Sequence, residues 1–132
     1  MYGFYKTNYG IDSAQLLFYK LKEYSLETID KSKDVLPIIV ECFELPSLQI
    51  FSTLSDLPLI YLTKESEETL LIKLPEVSKT ANGFGPKASL VVDSPAVVNL
   101  SKSLQLDIHP WTVRDDQLQF SKNPIDENMI FF

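Results

Sequence analysis

The sequence predicts an α/β chain built from βα units around a parallel sheet, and two observations carry that expectation. Short apolar runs, too brief for helices and rich in β-branched residues, alternate with helical stretches about every 20 to 25 residues. The composition is that of an ordinary globular domain, with 45% hydrophobic and 23% charged residues in a chain of 132. Right-handed crossovers would place the helices outside and the strands inside. Function in such folds sits at the C-terminal ends of the strands.

The elements follow in order. A helix is expected over residues 12–24, where Ala14, Leu17, Leu21 and Tyr24 share a face with Phe18 beside them, and Asp12 and Gln15 have capping-box spacing. Residues 37–43 read as a strand buried on both faces. Pro46 suits a first helical turn, with Leu48 and Phe51 or Ser52 behind it. Residues 58–62 repeat the strand signature. Residues 67–74 are helical by pattern, and Pro75 should end or kink that helix. The passage at 81–86 reads as a loop whose two glycines permit unusual backbone angles. Ser94-Pro95 is an N-cap followed by a first-turn proline, opening a helix whose Val97, Leu100 and Leu104 point one way. Residues 104–109 alternate apolar and polar as a last strand, ending at Pro110-Trp111-Thr112.

Charge and cysteine content narrow the function. A net charge of -6, with no basic stripe, disfavours nucleic acid, because phosphate neutralisation needs clustered Lys and Arg. No apolar run is long enough to suggest a membrane span. Cys42 is the single cysteine of the sequence, so neither an intramolecular disulfide nor a multi-cysteine metal site is available to it.

Four passages, in chain order, resemble the glycerophosphodiester phosphodiesterase family, especially its larger bacterial and plant-type members. Pro37-Ile38-Ile39-Val40-Glu41-Cys42-Phe43-Glu44 is similar to a strand that usually ends in Gln-Ser/Cys-Phe-Glu/Asp. Pro58-Leu59-Ile60-Tyr61-Leu62 resembles the following Leu-Val-Gln-Leu strand, and Ala81-Asn82-Gly83-Phe84-Gly85-Pro86 an Asp-Gly-Ile-Gly-Pro passage. The most specific match is Leu106-Asp107-Ile108-His109-Pro110-Trp111-Thr112-Val113-Arg114, similar to Val-His-Pro-Tyr/Trp-Thr-Val/Phe-Arg.

The resemblance implies a partial TIM (β/α)₈ barrel: residues 1–132 would supply strands four to seven, about half of a fold that needs roughly 250 residues. It also implies metal-dependent hydrolysis of glycerophosphodiesters to an alcohol and glycerol 3-phosphate. In the complete domain a divalent cation, calcium or magnesium, polarises the phosphoryl oxygen, and two histidines act as general acid and base. Those histidines come from His-Arg-Gly and His-Asp motifs, and the metal carboxylates from Glu-x-Asp and Glu-x-Lys strands. None of these motifs is in this sequence, which has one histidine. The expectation is therefore that no catalytic residue and no metal ligand lies in this chain, and that alone it is inactive and binds no metal.

The residues expected to line the substrate side are Glu41, Phe43, His109 and Trp111. His109 matches a pocket position and not the family's catalytic histidine; the alternative is a strand-end histidine that orients a loop. Trp111 and Phe43 would pack over the substrate and shield it from water, or else serve as core aromatics. Glu41 stands where the family usually has glutamine, and a carboxylate there would repel a phosphate unless a cation intervened. Its bland alternative is a glutamate paired with a lysine. Lys87 and Arg114 are candidate phosphate contacts, each equally readable as solvated. Glu65, Glu67 and Glu68 read as a solvated first helical turn, and Asn82 as a residue of loop geometry.

Two other functions compete. A half-barrel that has lost catalysis would expose two strand edges and an open inner face, inviting self-association with a second copy. A small α/β module binding a phosphorylated ligand at the glycine passage is disfavoured, because that passage lacks P-loop or dinucleotide spacing. The partners expected are a glycerophosphodiester substrate in the complete domain, no nucleic acid and no membrane span. The larger family members are often secreted or periplasmic, and the sequence itself does not name a compartment.

Overall fold

The computed structural model of the protein describes residues 2–113. Its elements alternate as α1 (Tyr2–Tyr9), α2 (Ser13–Glu23), α3 (Ile29–Ser32), β1 (Val40–Cys42), α4 (Leu45–Leu54), β2 (Leu59–Leu62), α5 (Glu67–Val77), β3 (Gly83–Gly85), α6 (Ala88–Asp93), α7 (Pro95–Ser103) and β4 (Asp107–Ile108). The four strands form one sheet in the order β1-β2-β3-β4, and every pairing is parallel. A parallel strand cannot follow its neighbour through a tight turn, so each crossover carries a helix. The chain is thus a mixed α/β protein whose strands follow one another across the sheet without reversal of direction or order.

Alternation along the strands separates two faces. Leu59, Tyr61 and Phe84 join Leu48 and Phe51 of α4, Leu70, Leu74 and Val77 of α5 and Val97 of α7 in a single apolar core. By register and alternation, the opposite face carries Glu41, Ile60, Leu62, Gly83, Gly85, Asp107 and His109. Outside the sheet, α2 packs on α4. No helix among the described residues is long and apolar enough to cross a membrane.

Local chemistry explains the boundaries. The Asp12 carboxylate accepts the backbone N–H groups of Ala14 and Gln15, fixing the start of α2. Ser66 and Ser94 cap α5 and α7 through Thr69 and Val97. Two helices close through a left-handed residue that is not glycine. After α7, Gln105 takes a positive φ of 56°, its N–H bonds Lys102 O, and Leu106 N–H bonds Ser101 O. After α2, Ser25 does the same, with Leu26 N–H reaching Leu21 O. Both are Schellman closures, and Leu106 is buried behind the one after α7.

Several sequence expectations need correction. The buried stripe of α2 is Ala14 with Phe18 and Leu21, while Leu17 and Tyr24 are 40% and 73% exposed, because α2 packs mainly on α4. Within residues 37–43 only Val40–Cys42 form a strand, at the sheet edge, with Glu41 in it and Ile39 before it exposed, so burial on both faces is not found. Helix α5 runs through Pro75 to Val77; Leu70, Leu74 and Val77 are wholly buried on either side, and their packing outweighs one missing helical hydrogen bond. The glycine passage is strand β3, fully buried, and neither of its glycines has a positive φ. Helices α1, α3 and α6 carry no strong periodic signal and were not expected.

Candidate functional site

The candidate site is built where the C-terminal ends of the strands meet the concave face. Phe43 follows β1 directly and Trp111 extends β4, its N–H bonding Pro86 O and its carbonyl accepting Ala88 N–H. Their rings meet edge to face with centroids 5.7 Å apart. Below them, His109 Nδ1 lies 3.9 Å from Glu41 Oε1. Strands β1 and β4 are at opposite edges of the sheet. At about 4.8 Å per strand step their backbones would stand roughly 14 Å apart in a flat sheet. Side chains project out of a sheet, not along it, so both contacts require the sheet to curl strongly toward this face.

The glycines of β3 make the curl possible. A Cβ on Gly85 would come within 2.6 Å of Leu62 Cδ2 and 2.9 Å of His109 O; one on Gly83 would meet Asp107 O at 2.6 Å. The bare backbone also lets Trp111 fold back, its indole Nε1–H donating to Gly85 O at 2.7 Å. Close approach, rather than an unusual backbone angle, is therefore what these two positions need.

All four residues expected at the substrate side, Glu41, Phe43, His109 and Trp111, are brought to one face as two contacting pairs. Glu41 faces His109 rather than a lysine. Cys42 is half-buried, and its Sγ accepts the Glu44 N–H. Lys87 is exposed at the start of α6, and Arg114 lies outside the described residues. Asn82 does more than shape a loop: its Oδ1 accepts Leu59 N–H, its N–H bonds Leu59 O and its carbonyl accepts Asp107 N–H, tying three strands together.

Sequence reasoning missed the most connected polar cluster. Glu65 is not part of a solvated helical turn. Its carboxylate accepts from Thr63 Oγ1 (3.0 Å), Tyr61 OH (3.2 Å) and Lys73 Nζ (2.9 Å), while Lys73 also donates to Tyr61 OH at 2.7 Å. Burial pushes the Glu65 carboxyl up, yet the hydrogen bonds from Lys73, Thr63 and Tyr61 outweigh it and hold the group below its ordinary value. For Lys73 burial pulls downward, and Tyr61 and Glu65 outweigh it, leaving the amine raised. Beside this cluster Lys64 Nζ stands 5.5 Å from the centroid of the Phe43 ring. Phe43, Tyr61, Leu62, Thr63, Lys64, Glu65 and Lys73 line an open cleft of about 450 Å³. The only sequence signal for this cluster was polar residues placed directly after a buried strand.

Among the described residues no group of three His, Cys, Asp or Glu is placed to hold a metal ion. Glu41 and His109 form a pair without a third ligand, so the residues described do not fit the divalent cation that the resemblance implies. No protein-family model matches the chain, and no curated protein matches it. The class defined by the structure is a mixed α/β protein with a four-stranded parallel sheet, curled around a face that carries two aromatic rings, a carboxylate and an imidazole.

Proposed function

We propose that this chain forms strands four to seven of a glycerophosphodiester phosphodiesterase barrel and lines its substrate side. The observation that carries the reading is the curl of the sheet. Strands in sequential parallel order, with Phe43 beyond one edge packed on Trp111 beyond the other, support a sheet that curls toward barrel closure. Together with the His109-Pro110-Trp111-Thr112 resemblance, this supports a site at the C-terminal end of the barrel.

In that setting the Phe43 and Trp111 rings cover the diester and keep water from it, while His109 and Glu41 line the pocket beneath. With one histidine in the sequence, the two-histidine acid–base catalysis that the resemblance implies cannot be built from this chain, so the proton transfers fall to the half of the barrel that carries the His-Arg-Gly and His-Asp motifs. When bound in the complete domain, a divalent cation would supply charge stabilisation of the phosphoryl oxygens. Its carboxylates are not among the residues described.

The test is hydrolysis of glycerophosphocholine with added calcium. The chain alone should release no glycerol 3-phosphate above background. A polypeptide joining it to a segment with Glu-x-Lys, His-Asp and His-Arg-Gly should release it. Equal activity with and without that segment would overturn the reading.

A second reading, an inactive half-barrel that pairs with its own copy, has one observation in its favour. Among the described residues β1 and β4 each pair on one side only, and Ile39 and Phe43 at the β1 edge are exposed. Light scattering on the purified chain separates the two readings, because self-pairing requires a dimer.

A further inference from the structure

We propose that Lys64 makes the cleft at the end of β2 an anion-binding site, and that its ligand is the phosphate of a glycerophosphate. Lys64 is exposed and forms no ion pair among the described residues, whereas Lys73, nearby in the same cleft, is neutralised by Glu65. Its ammonium stands over the Phe43 ring, which meets the Trp111 ring edge to face. A cation held over an aromatic face remains free to accept a phosphate from the solvent side.

The backbone that presents Lys64 is fixed on both sides. Thr63 N–H bonds Gly85 O at 2.9 Å, and Glu65 N–H bonds Thr63 Oγ1 at 3.0 Å. The Glu65 carboxylate is in turn held by Thr63, Tyr61 and Lys73, which satisfies it within the cluster. The Tyr61–Glu65–Lys73 cluster therefore spends its own charges internally and leaves Lys64 as the positive group of the cleft. The anion site stands on this geometry alone; the glycerol part of the ligand rests on the function proposed above.

The test is calorimetric titration of the full chain with sn-glycerol 3-phosphate, and separately with inorganic phosphate, at low salt. The wild type should bind, with K64R within about threefold of it, K64Q at least about tenfold weaker, and K102Q, at the far end of α7, unchanged. Because the Lys64 side chain is exposed, K64Q should keep the wild-type circular dichroism; K64A, expected to bind at least about tenfold more weakly, carries the test if it does not. Wild-type binding that K64Q leaves intact would overturn the role of Lys64 while leaving the phosphodiesterase reading in place. Failure of the wild type to bind either anion would overturn the site. Equal affinity for inorganic phosphate and glycerol 3-phosphate would uphold Lys64 as the anion residue and remove the glycerol-selective reading.

Discussion

Phe43 follows β1 and Trp111 lies just beyond β4, the two outermost strands of a four-stranded sheet, yet their rings touch edge to face at a centroid distance of 5.7 Å. The contact joins residues far apart in sequence, and it exists because the sheet bends around β3. If it helps to hold that bend, the two side chains are energetically coupled. A double-mutant cycle of Phe43→Ala and Trp111→Ala, read by urea denaturation, should give a coupling of about 0.5–1.5 kcal/mol. Strict additivity would mean that the rings are neighbours without mutual support.

Glycine should matter unequally along the chain. Gly85→Ala places a Cβ 2.9 Å from the His109 carbonyl, a backbone atom that cannot swing away, and should cost about 1–3 kcal/mol. It should also shift the fluorescence of Trp111, whose indole bonds Gly85 O. Gly3→Ala, in α1 with nothing within 4 Å of the new Cβ, should instead stabilise by up to about 1 kcal/mol. Equal effects at both positions would count against the close-approach role of β3.

The Schellman closure after α7 carries a removable strain. Gln105 sits at φ 56°, a conformation that opposes a side-chain Cβ. Gln105→Gly should therefore raise stability by about 0.5–1 kcal/mol, measured as a higher denaturation midpoint with unchanged slope. A lower midpoint would show that the Gln105 side chain supplies more than the strain removes.

Acid should weaken the cluster at the mouth of the cleft in a defined direction. Glu65 has a folded pKa below its ordinary 4.5, so its contribution is fully present above that value. It is lost as pH falls through the lower folded pKa. For Lys73, raised above 10.5, the contribution is present below that value and lost as pH rises through the folded pKa. The stability advantage of the wild type over Glu65→Gln should shrink as pH falls below about 4.5 and through the lower folded pKa. A difference that stays constant across this window would remove Glu65 from the acid response.

Much of the fold was legible along the chain. The two short apolar runs at 37–43 and 58–62 contain β1 and β2, Asp12 and Ser94 mark helix starts, and Leu48, Phe51 and Val97 are buried as their spacing implied. These are local signals: periodicity, a capping oxygen, a first-turn proline. The failures share a cause as well. Pro75 looked like a stop because its cost is local, while the burial of Leu70, Leu74 and Val77 that overrides it comes from other elements. Gly83 and Gly85 looked like a loop because glycine is a local sign of unusual angles, whereas their need is room for Leu62, Trp111 and the β4 backbone.

The candidate site divides along the same line. Sequence alone determined which residues stand at the strand ends, Glu41, Phe43, His109 and Trp111 among them, since strand position follows from a period of two and its boundaries. Tertiary structure alone decided that residues of β1 and β4 meet, that Glu65 is held by Tyr61, Thr63 and Lys73, and that Lys64 stands over the Phe43 ring. The physical reason is that curvature is a property of the whole sheet. It follows from close backbone packing at Gly83 and Gly85, and no window of sequence short enough to read contains both partners of a contact across the concave face.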